Sequence, residues 1–293
     1  MRLQGCYTAL VTPFQKNGRL DETALRRLID LQLAGGTAGL VPCGSTGESA
    51  TLTGEEHRRV IELTLEQSQG RVPVIAGIAA NSTWKALELS REAESLGADA
   101  LLLLSPCYNK PTQQGLYEHF RAVARATRLP VVLYNIPGRT AVNVEPSTIL
   151  RLAADCPNLA AVKEASGSLD QASSLLANAR SGFTVLSGDD SLTLPMLSVG
   201  ARGAISVVSN IAPSAAAELC SSFLSGRAKR ARALHLKLFP LVKALFVETN
   251  PIPVKAALEL MGLCRAQPRS PLTPLSHEHR AGLKRELKAF GLL

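Results

Sequence analysis

Lys163 is the residue whose position favours covalent chemistry, because it ends an apolar run at residues 159–162. Such a run predicts a short buried strand with Lys163 at its C-terminal end. Burying a lysine without a partner favours the neutral amine, since charge is costly to remove from water. A neutral amine in a pocket is the nucleophile that forms a Schiff base with a carbonyl compound. Strand alternation places the neighbouring Glu164 on the opposite side, where it does not neutralise Lys163.

Two other apolar runs end in polar residues that are candidates to join Lys163. Ser45 and Thr46 lie between glycines and present adjacent hydroxyls that suit a carboxylate ligand, although such residues are also typical of a helix N-cap. Tyr134 ends a further run, where a tyrosine either relays protons or packs its ring in the core. Arg139 follows on a Pro-Gly turn. Its forked guanidinium either binds a substrate carboxylate or is simply a charge at the protein surface.

Short apolar runs alternate with amphipathic helical patterns along most of the chain. The runs are continuously apolar, as expected for parallel strands covered on both faces. Eight such units before residue 226 predict a (β/α)8 TIM barrel, whose active site lies at the C-terminal ends of the strands. A doubly wound sheet is not favoured, because no glycine-rich nucleotide turn follows an early strand. The predicted strands cover residues 7–11, 39–42, 72–76, 100–104, 131–134, 159–163, 183–186 and 203–207.

The alternation stops near residue 225, so the sequence predicts a barrel at residues 1–225 and a helical region at residues 226–293. This second region contains three helical patterns without an obvious core of their own. We therefore expect a small C-terminal helical appendage that packs on the barrel or on a neighbouring subunit. Its predicted helices cover residues 228–247, 253–261 and 277–292.

Composition and charge exclude several classes of protein. With 46% hydrophobic and 19% charged residues, the chain is globular rather than disordered. No apolar run approaches the roughly 20 residues of a membrane helix and no signal peptide is recognisable, so we expect a cytoplasmic protein without membrane contact. The densest basic cluster, residues 227–237, has helical spacing and indicates a solvated helix face rather than nucleic-acid binding. The six cysteines lack C-x-x-C spacing and are expected to be reduced thiols.

Three motifs give the chain a resemblance to a known superfamily. They are Gly-Ser-Thr-Gly-Glu at residues 44–48, Tyr-Asn-Ile-Pro-Gly-Arg-Thr at 134–140 and Val-Lys-Glu-Ala-Ser-Gly at 162–167. With these motifs the chain resembles, over essentially its whole length, the dihydrodipicolinate synthase / N-acetylneuraminate lyase superfamily of class I aldolases, and within it the synthase branch. The resemblance implies condensation of pyruvate with L-aspartate 4-semialdehyde to 4-hydroxy-tetrahydrodipicolinate, in lysine and diaminopimelate biosynthesis. It also implies a lysine–pyruvate imine and no metal or organic cofactor.

The resemblance assigns catalytic roles to four residues. Lys163 matches the lysine that forms the imine with pyruvate, and Tyr134 matches the proton relay at the imine and enamine stages. Ser45 matches the hydroxyl that links two tyrosines, and Tyr108 matches the tyrosine that a second subunit contributes across a dimer interface. A homotetramer built as a dimer of dimers is therefore implied, with a dimer as the smaller alternative.

Four further positions match substrate-binding residues of the superfamily. Thr46 matches the residue that binds the carboxylate of pyruvate, and Arg139 matches the arginine that holds the carboxylate of aspartate semialdehyde. Gly188 and Ile205 match positions that line the pocket.

A departure at Ser45 leaves a second activity open. Synthases usually have Thr-Thr where this chain has Ser45-Thr46, and Ser-Thr is also the pattern of the neuraminate and keto-sugar-acid lyases. The alternative is a pyruvate-forming lyase or dehydratase of the same superfamily that acts on a sugar acid or another 2-keto acid. Arg139 argues against it, because those enzymes generally lack an arginine at that position.

The pocket in which regulated synthases bind lysine is altered in this sequence. Cys107 stands where a tyrosine is typical, Lys85 where a glutamate is typical and Gly54 where a histidine often occurs. A positive charge at Lys85 repels the ammonium groups of lysine. We therefore expect weak or absent feedback inhibition by lysine.

Overall fold

Eight parallel strands form the centre of the computed structural model, which describes residues 3–293. Each strand is a short, mostly apolar segment, and helices separate consecutive strands. The strands are β1 (Gly5–Ala9), β2 (Gly39–Val41), β3 (Ile75–Ile78), β4 (Ala100–Leu104), β5 (Val131–Asn135), β6 (Leu159–Glu164), β7 (Thr184–Ser187) and β8 (Gly203–Ser206).

The eight strands close into a barrel. Neighbouring strands are hydrogen-bonded in the order β2-β1-β8-β7-β6-β5-β4-β3, and a parallel bridge between Leu40 and Val74 joins β2 to the residue just before β3. The (β/α)8 TIM barrel predicted from the sequence is therefore confirmed. The prediction for the third strand was wrong in its bounds, since β3 begins at Ile75 rather than Val72. Pro73 has no N–H to donate to a strand ladder, which accounts for the later start.

Helices surround the barrel and begin at suitable side chains. Thr53, Ser82, Thr112 and Ser168 each accept a hydrogen bond from a backbone N–H in the first turn of the following helix. The helices described are α1 (Glu22–Ala34), α2 (Gly54–Ser68), α3 (Thr83–Leu96), α4 (Gln113–Ala126), α5 (Pro137–Thr140), α6 (Pro146–Asp155), α7 (Leu169–Asn178), α8 (Thr193–Ser198), α9 (Pro213–Leu224), α10 (Ala228–Leu245), α11 (Ile252–Leu260) and α12 (His277–Phe290), with 3-10 turns at Ser49–Thr51, Asp190–Leu192 and Val208–Asn210.

Strand alternation divides the buried side chains between the barrel interior and the layer under the helices. The interior cluster includes Tyr134, Ala161, Leu186 and Ile205, whereas a larger cluster packs the outer strand faces against the helices. Because Ala161 faces the interior, Lys163 two residues later faces it as well.

The C-terminal helices α10, α11 and α12 share one hydrophobic core with α9 and with the first β-α unit of the barrel. Cys6 of β1 and Leu28 of α1 pack in the same cluster as Leu241, Leu258 and Leu287. The C-terminal helices thus pack on the barrel, while the division of the chain at residues 225 and 226 stays a prediction. None of the helices within residues 3–293 is long and apolar enough to cross a membrane.

A buried ion pair connects the loop after β2 to α11. The Lys255 ammonium contacts the Glu48 carboxylate, and both side chains are buried. Lys255 Nζ also donates to the backbone oxygen of Thr12 at 3.0 Å, and the backbone N–H of Arg269 donates to Glu48 Oε2 at 2.8 Å. Burial lowers the pKa of Lys255, and the negative charge of Glu48 opposes this shift. The pair therefore ties three distant segments to the loop that carries Ser45.

Replacing Lys255 by methionine is expected to destabilise the fold by about 3–5 kcal/mol, because it leaves the Glu48 carboxylate buried without a positive charge beside it. The double variant Glu48→Gln, Lys255→Met is expected to lose less, since both charges are then absent. Urea unfolding measures both free energies.

The exposed pair Lys85–Glu88 supplies the control for this prediction, because it has the same charges at the protein surface. Lys85→Ala should change stability by no more than about 1 kcal/mol. A Lys255→Met variant as stable as this control would contradict the proposed contribution of the buried pair to the free energy of unfolding.

Candidate active site

Lys163 and Tyr134 lie side by side at the C-terminal end of the barrel interior. The register of β5 and β6 places Tyr134 opposite Lys163, and Lys163 Nζ lies 3.9 Å from the centroid of the Tyr134 ring. Both side chains are buried, with 5% of their surface exposed. The structure thus brings together the two residues that the sequence predicted for imine formation and proton relay, at the end of the barrel where catalysis takes place in this fold.

Glu164 points away from this site, as the alternation of β6 predicted. Its buried carboxylate accepts hydrogen bonds from Asn135 Nδ2 at 3.1 Å, Gln171 Nε2 at 2.8 Å and the backbone N–H of Ser166 at 2.6 Å. These donors satisfy the carboxylate on the outer side of the strand. Glu164 therefore fixes the end of β6 without neutralising Lys163.

Asn250, for which the sequence predicted no role, joins Thr46 and Arg139. Asn250 Nδ2 donates to Thr46 Oγ1 at 3.0 Å, and Arg139 Nη2 donates to the backbone oxygen of Asn250 at 2.8 Å. Thr46 and Asn250 are buried. The two predicted carboxylate ligands are thus held by the segment just before α11. No local pattern pointed to Asn250, because its side-chain partner Thr46 lies 204 residues away in the sequence.

Gly188 and Ile205 lie next to the lysine and in the barrel interior. A Cβ at Gly188 would lie 2.7 Å from Ala165 Cβ and 3.1 Å from both Cγ and Cε of Lys163. A side chain at this position would therefore displace Lys163 or Ala165. Ile205 is fully buried in the cluster that contains Tyr134.

A cavity of about 490 Å³ opens at the C-terminal end of the barrel. Ser45, Arg139 and Asn250 line it, together with Leu104, which pairs with Tyr134 across β4 and β5. This volume is in the range of small-molecule binding sites. Ser45 and Arg139 bring hydrogen-bonding side chains to the cavity, and Leu104 places it beside the strand end that carries Tyr134.

Tyr108 is not brought into the cavity of its own chain. Its side chain is 92% exposed, and its backbone adopts a left-handed conformation with φ of 66°. The flanking residues are fixed, since the backbone N–H of Cys107 and Asn109 Nδ2 both donate to Asn81. An ordered loop therefore presents the Tyr108 ring to the surroundings of the protein.

The model of the dihydrodipicolinate synthetase family matches residues 2–290 of this sequence. The chain belongs to this family. It is 53% identical to the 4-hydroxy-tetrahydrodipicolinate synthase of Pelobacter propionicus over 99% of both chains. Its structure is similar to dihydrodipicolinate synthase from Thermotoga maritima, with a TM-score of 0.98, 47% identity and complete coverage of both chains. The enzyme from Cyanidioschyzon merolae with lysine bound has a TM-score of 0.96 and 40% identity, and 99% of each chain is covered.

This member of the dihydrodipicolinate synthetase family has a second cavity, of about 370 Å³, next to the first. Gly54, His57, Asn81 and Lys85 line it, and burial lowers the pKa of His57. Lys85 forms an ion pair with Glu88 at 2.9 Å. The positive charge expected from the sequence thus lies at this second cavity.

Proposed function

We propose that the chain catalyses the condensation of pyruvate with L-aspartate 4-semialdehyde to 4-hydroxy-tetrahydrodipicolinate in lysine and diaminopimelate biosynthesis. The observation that carries the proposal is the buried Lys163 amine, 3.9 Å from the ring centre of Tyr134 in a barrel of this family. Relatives that match almost the whole chain at about 50% identity bear the name of this synthase. Nothing in these matches favours the alternative of a sugar-acid lyase or dehydratase.

Lys163 is the nucleophile in this proposal. Its amine attacks the keto carbon of pyruvate, water leaves and an imine forms. Loss of a proton from the methyl group gives an enamine, whose carbon attacks the aldehyde of the second substrate. The amine of that substrate then displaces Lys163 from the imine carbon and closes the ring. Tyr134, next to Lys163 Nζ, moves the protons that these steps require. The imine formed between Lys163 and pyruvate is the electron sink, so the reaction needs no metal or organic cofactor.

Thr46 and Arg139 hold the two carboxylates. The Thr46 hydroxyl donates to the carboxylate of pyruvate, while the Arg139 guanidinium forms charge-assisted hydrogen bonds with that of aspartate semialdehyde. The contact of Arg139 with the Asn250 backbone uses one of its five N–H donors and leaves the rest available. Gly188 and Ile205 shape the space around the imine.

Reduction with borohydride tests the nucleophile, because it converts an imine into a stable secondary amine. We expect pyruvate to add one adduct mass at Lys163 of the unaltered chain and none in Lys163→Ala, as measured by mass spectrometry. Lys16→Ala, which removes an exposed lysine, supplies the control. A Lys163→Ala variant that still turned over both substrates would refute the mechanism.

The proton relay is proposed to continue through Ser45 to Tyr108 of a second subunit, in a homotetramer built from dimers. The support is that Tyr108 is exposed on an ordered loop of its own chain, and that Trp84, three residues after the Asn81 to which this loop is hydrogen-bonded, is 73% exposed. We expect sedimentation velocity at assay concentrations to give a dimer or tetramer. A monomer with full activity would contradict the shared site.

Feedback inhibition by lysine is proposed to be weak, because Lys85 places a positive charge at the second cavity. We expect activity to persist in millimolar lysine, and Lys85→Glu to increase inhibition by reversing the charge. Lys85→Ala removes the positive charge without adding a negative one. Comparison with Lys85→Glu therefore separates the loss of repulsion of lysine from the gain of attraction. The assay couples the product to dihydrodipicolinate reductase and follows NADPH. Strong inhibition of the unaltered chain by submillimolar lysine would overturn the proposal.

A further inference from the structure

Asn250 makes a hydrogen bond to the side chain of a predicted substrate ligand and is itself almost completely buried. Its side-chain N–H donates to Thr46 Oγ1 at 3.0 Å, and 5% of its surface is exposed. We propose that Asn250 is a positioning residue that fixes the Thr46 hydroxyl as a hydrogen-bond donor and thereby sets the affinity for pyruvate. This inference rests on the proposed function, in which Thr46 receives the carboxylate of pyruvate.

The direction of the Asn250–Thr46 hydrogen bond decides what Thr46 offers a ligand. A hydroxyl has one donor hydrogen and two acceptor lone pairs, whereas an ionised carboxylate only accepts. When the Asn250 amide N–H occupies a lone pair of Thr46 Oγ1, the hydroxyl hydrogen stays free for the carboxylate. If Thr46 instead donated to its neighbour, only oxygen lone pairs would face pyruvate, and the contact would be repulsive.

The surrounding structure limits how far the loop adapts when Asn250 is changed. Asn250 lies two residues before α11, and Thr46 lies two residues before Glu48. The Lys255–Glu48 ion pair joins the same two segments a second time. We therefore expect the ion pair to hold the loop in place when the Asn250 side chain is changed, so that the effect falls on the orientation of the Thr46 hydroxyl.

Asn250 holds Arg139 by a different atom. Arg139 Nη2 donates to the backbone oxygen of Asn250, which every variant retains. A change of the side chain therefore acts on the pyruvate ligand Thr46 and leaves the semialdehyde ligand Arg139 in place. The two substrates should respond differently, which general loosening of the site would not produce.

Asn250→Asp and Asn250→Ala separate polarity from packing. Asp keeps the shape of the side chain but accepts from the Thr46 hydroxyl and adds a negative charge beside the carboxylate. We expect Asn250→Ala to raise the KM for pyruvate about tenfold, because the Thr46 hydroxyl loses the partner that orients its hydrogen toward the carboxylate, and Asn250→Asp to raise it further. The KM for aspartate semialdehyde should change less than about twofold, since Arg139 keeps its partner.

The pyruvate concentration that gives half-maximal borohydride trapping provides a second readout, independent of the semialdehyde. In a Thr46→Val background, Asn250→Ala should have no further effect, because the amide acts only through the hydroxyl. Melting temperatures establish that each variant is folded, and Asn250→Ser replaces Asn250→Ala if that variant is not.

Two results would overturn the inference. An Asn250→Asp variant that binds pyruvate better than Asn250→Ala would show that packing, or the opposite hydrogen-bond direction, governs the site. Equal losses for both substrates would show general loosening. An unaltered chain that traps no pyruvate would refute the proposed function itself, which distinguishes that failure from a failure of the role given to Asn250.

Discussion

The ion pair between Lys255 and Glu48 is the constraint on which the geometry of the site depends. Removing two charges from water is costly, and a buried pair is maintained only where further hydrogen bonds complete it. Here Thr12 and the backbone of Arg269 supply those bonds. Because Glu48 lies two residues after Thr46, the pair fixes the loop that carries the hydroxyls of Ser45 and Thr46. The loop is therefore ordered before substrate arrives, and binding does not have to pay that entropy.

The pleat of β6 sets the second constraint, which concerns the direction of two adjacent charged side chains. Period-two alternation sends Lys163 into the barrel and Glu164 outward to Asn135 and Gln171. A shift of one residue would exchange the two and place a carboxylate beside the keto acid. The hydrogen bonds of Glu164 oppose that shift, so an outward-facing residue maintains the register on which the nucleophile depends.

Local patterns in the sequence sufficed to predict the barrel and the nucleophile, because both arise from neighbouring residues. Apolar runs predicted all eight strands, and the start of β3 was misplaced because Pro73 has no N–H to donate. Asn250 and Lys255 could not be found in this way. Their partners Thr46 and Glu48 lie 204 and 207 residues away, and only the closed barrel brings these segments together. Tyr108 is a different case, since its predicted partner belongs to a second chain.

The two buried lysines show how the same side chain serves opposite purposes. Lys255 has a carboxylate and a carbonyl oxygen as partners, so its amino group is engaged within the buried ion pair. Lys163 forms no ion pair with any of residues 3–293, and its Nζ lies 3.9 Å from the centroid of the Tyr134 ring. The contrast explains why attack on a keto acid is assigned to Lys163, while Lys255 is left to hold the loop that receives the carboxylate.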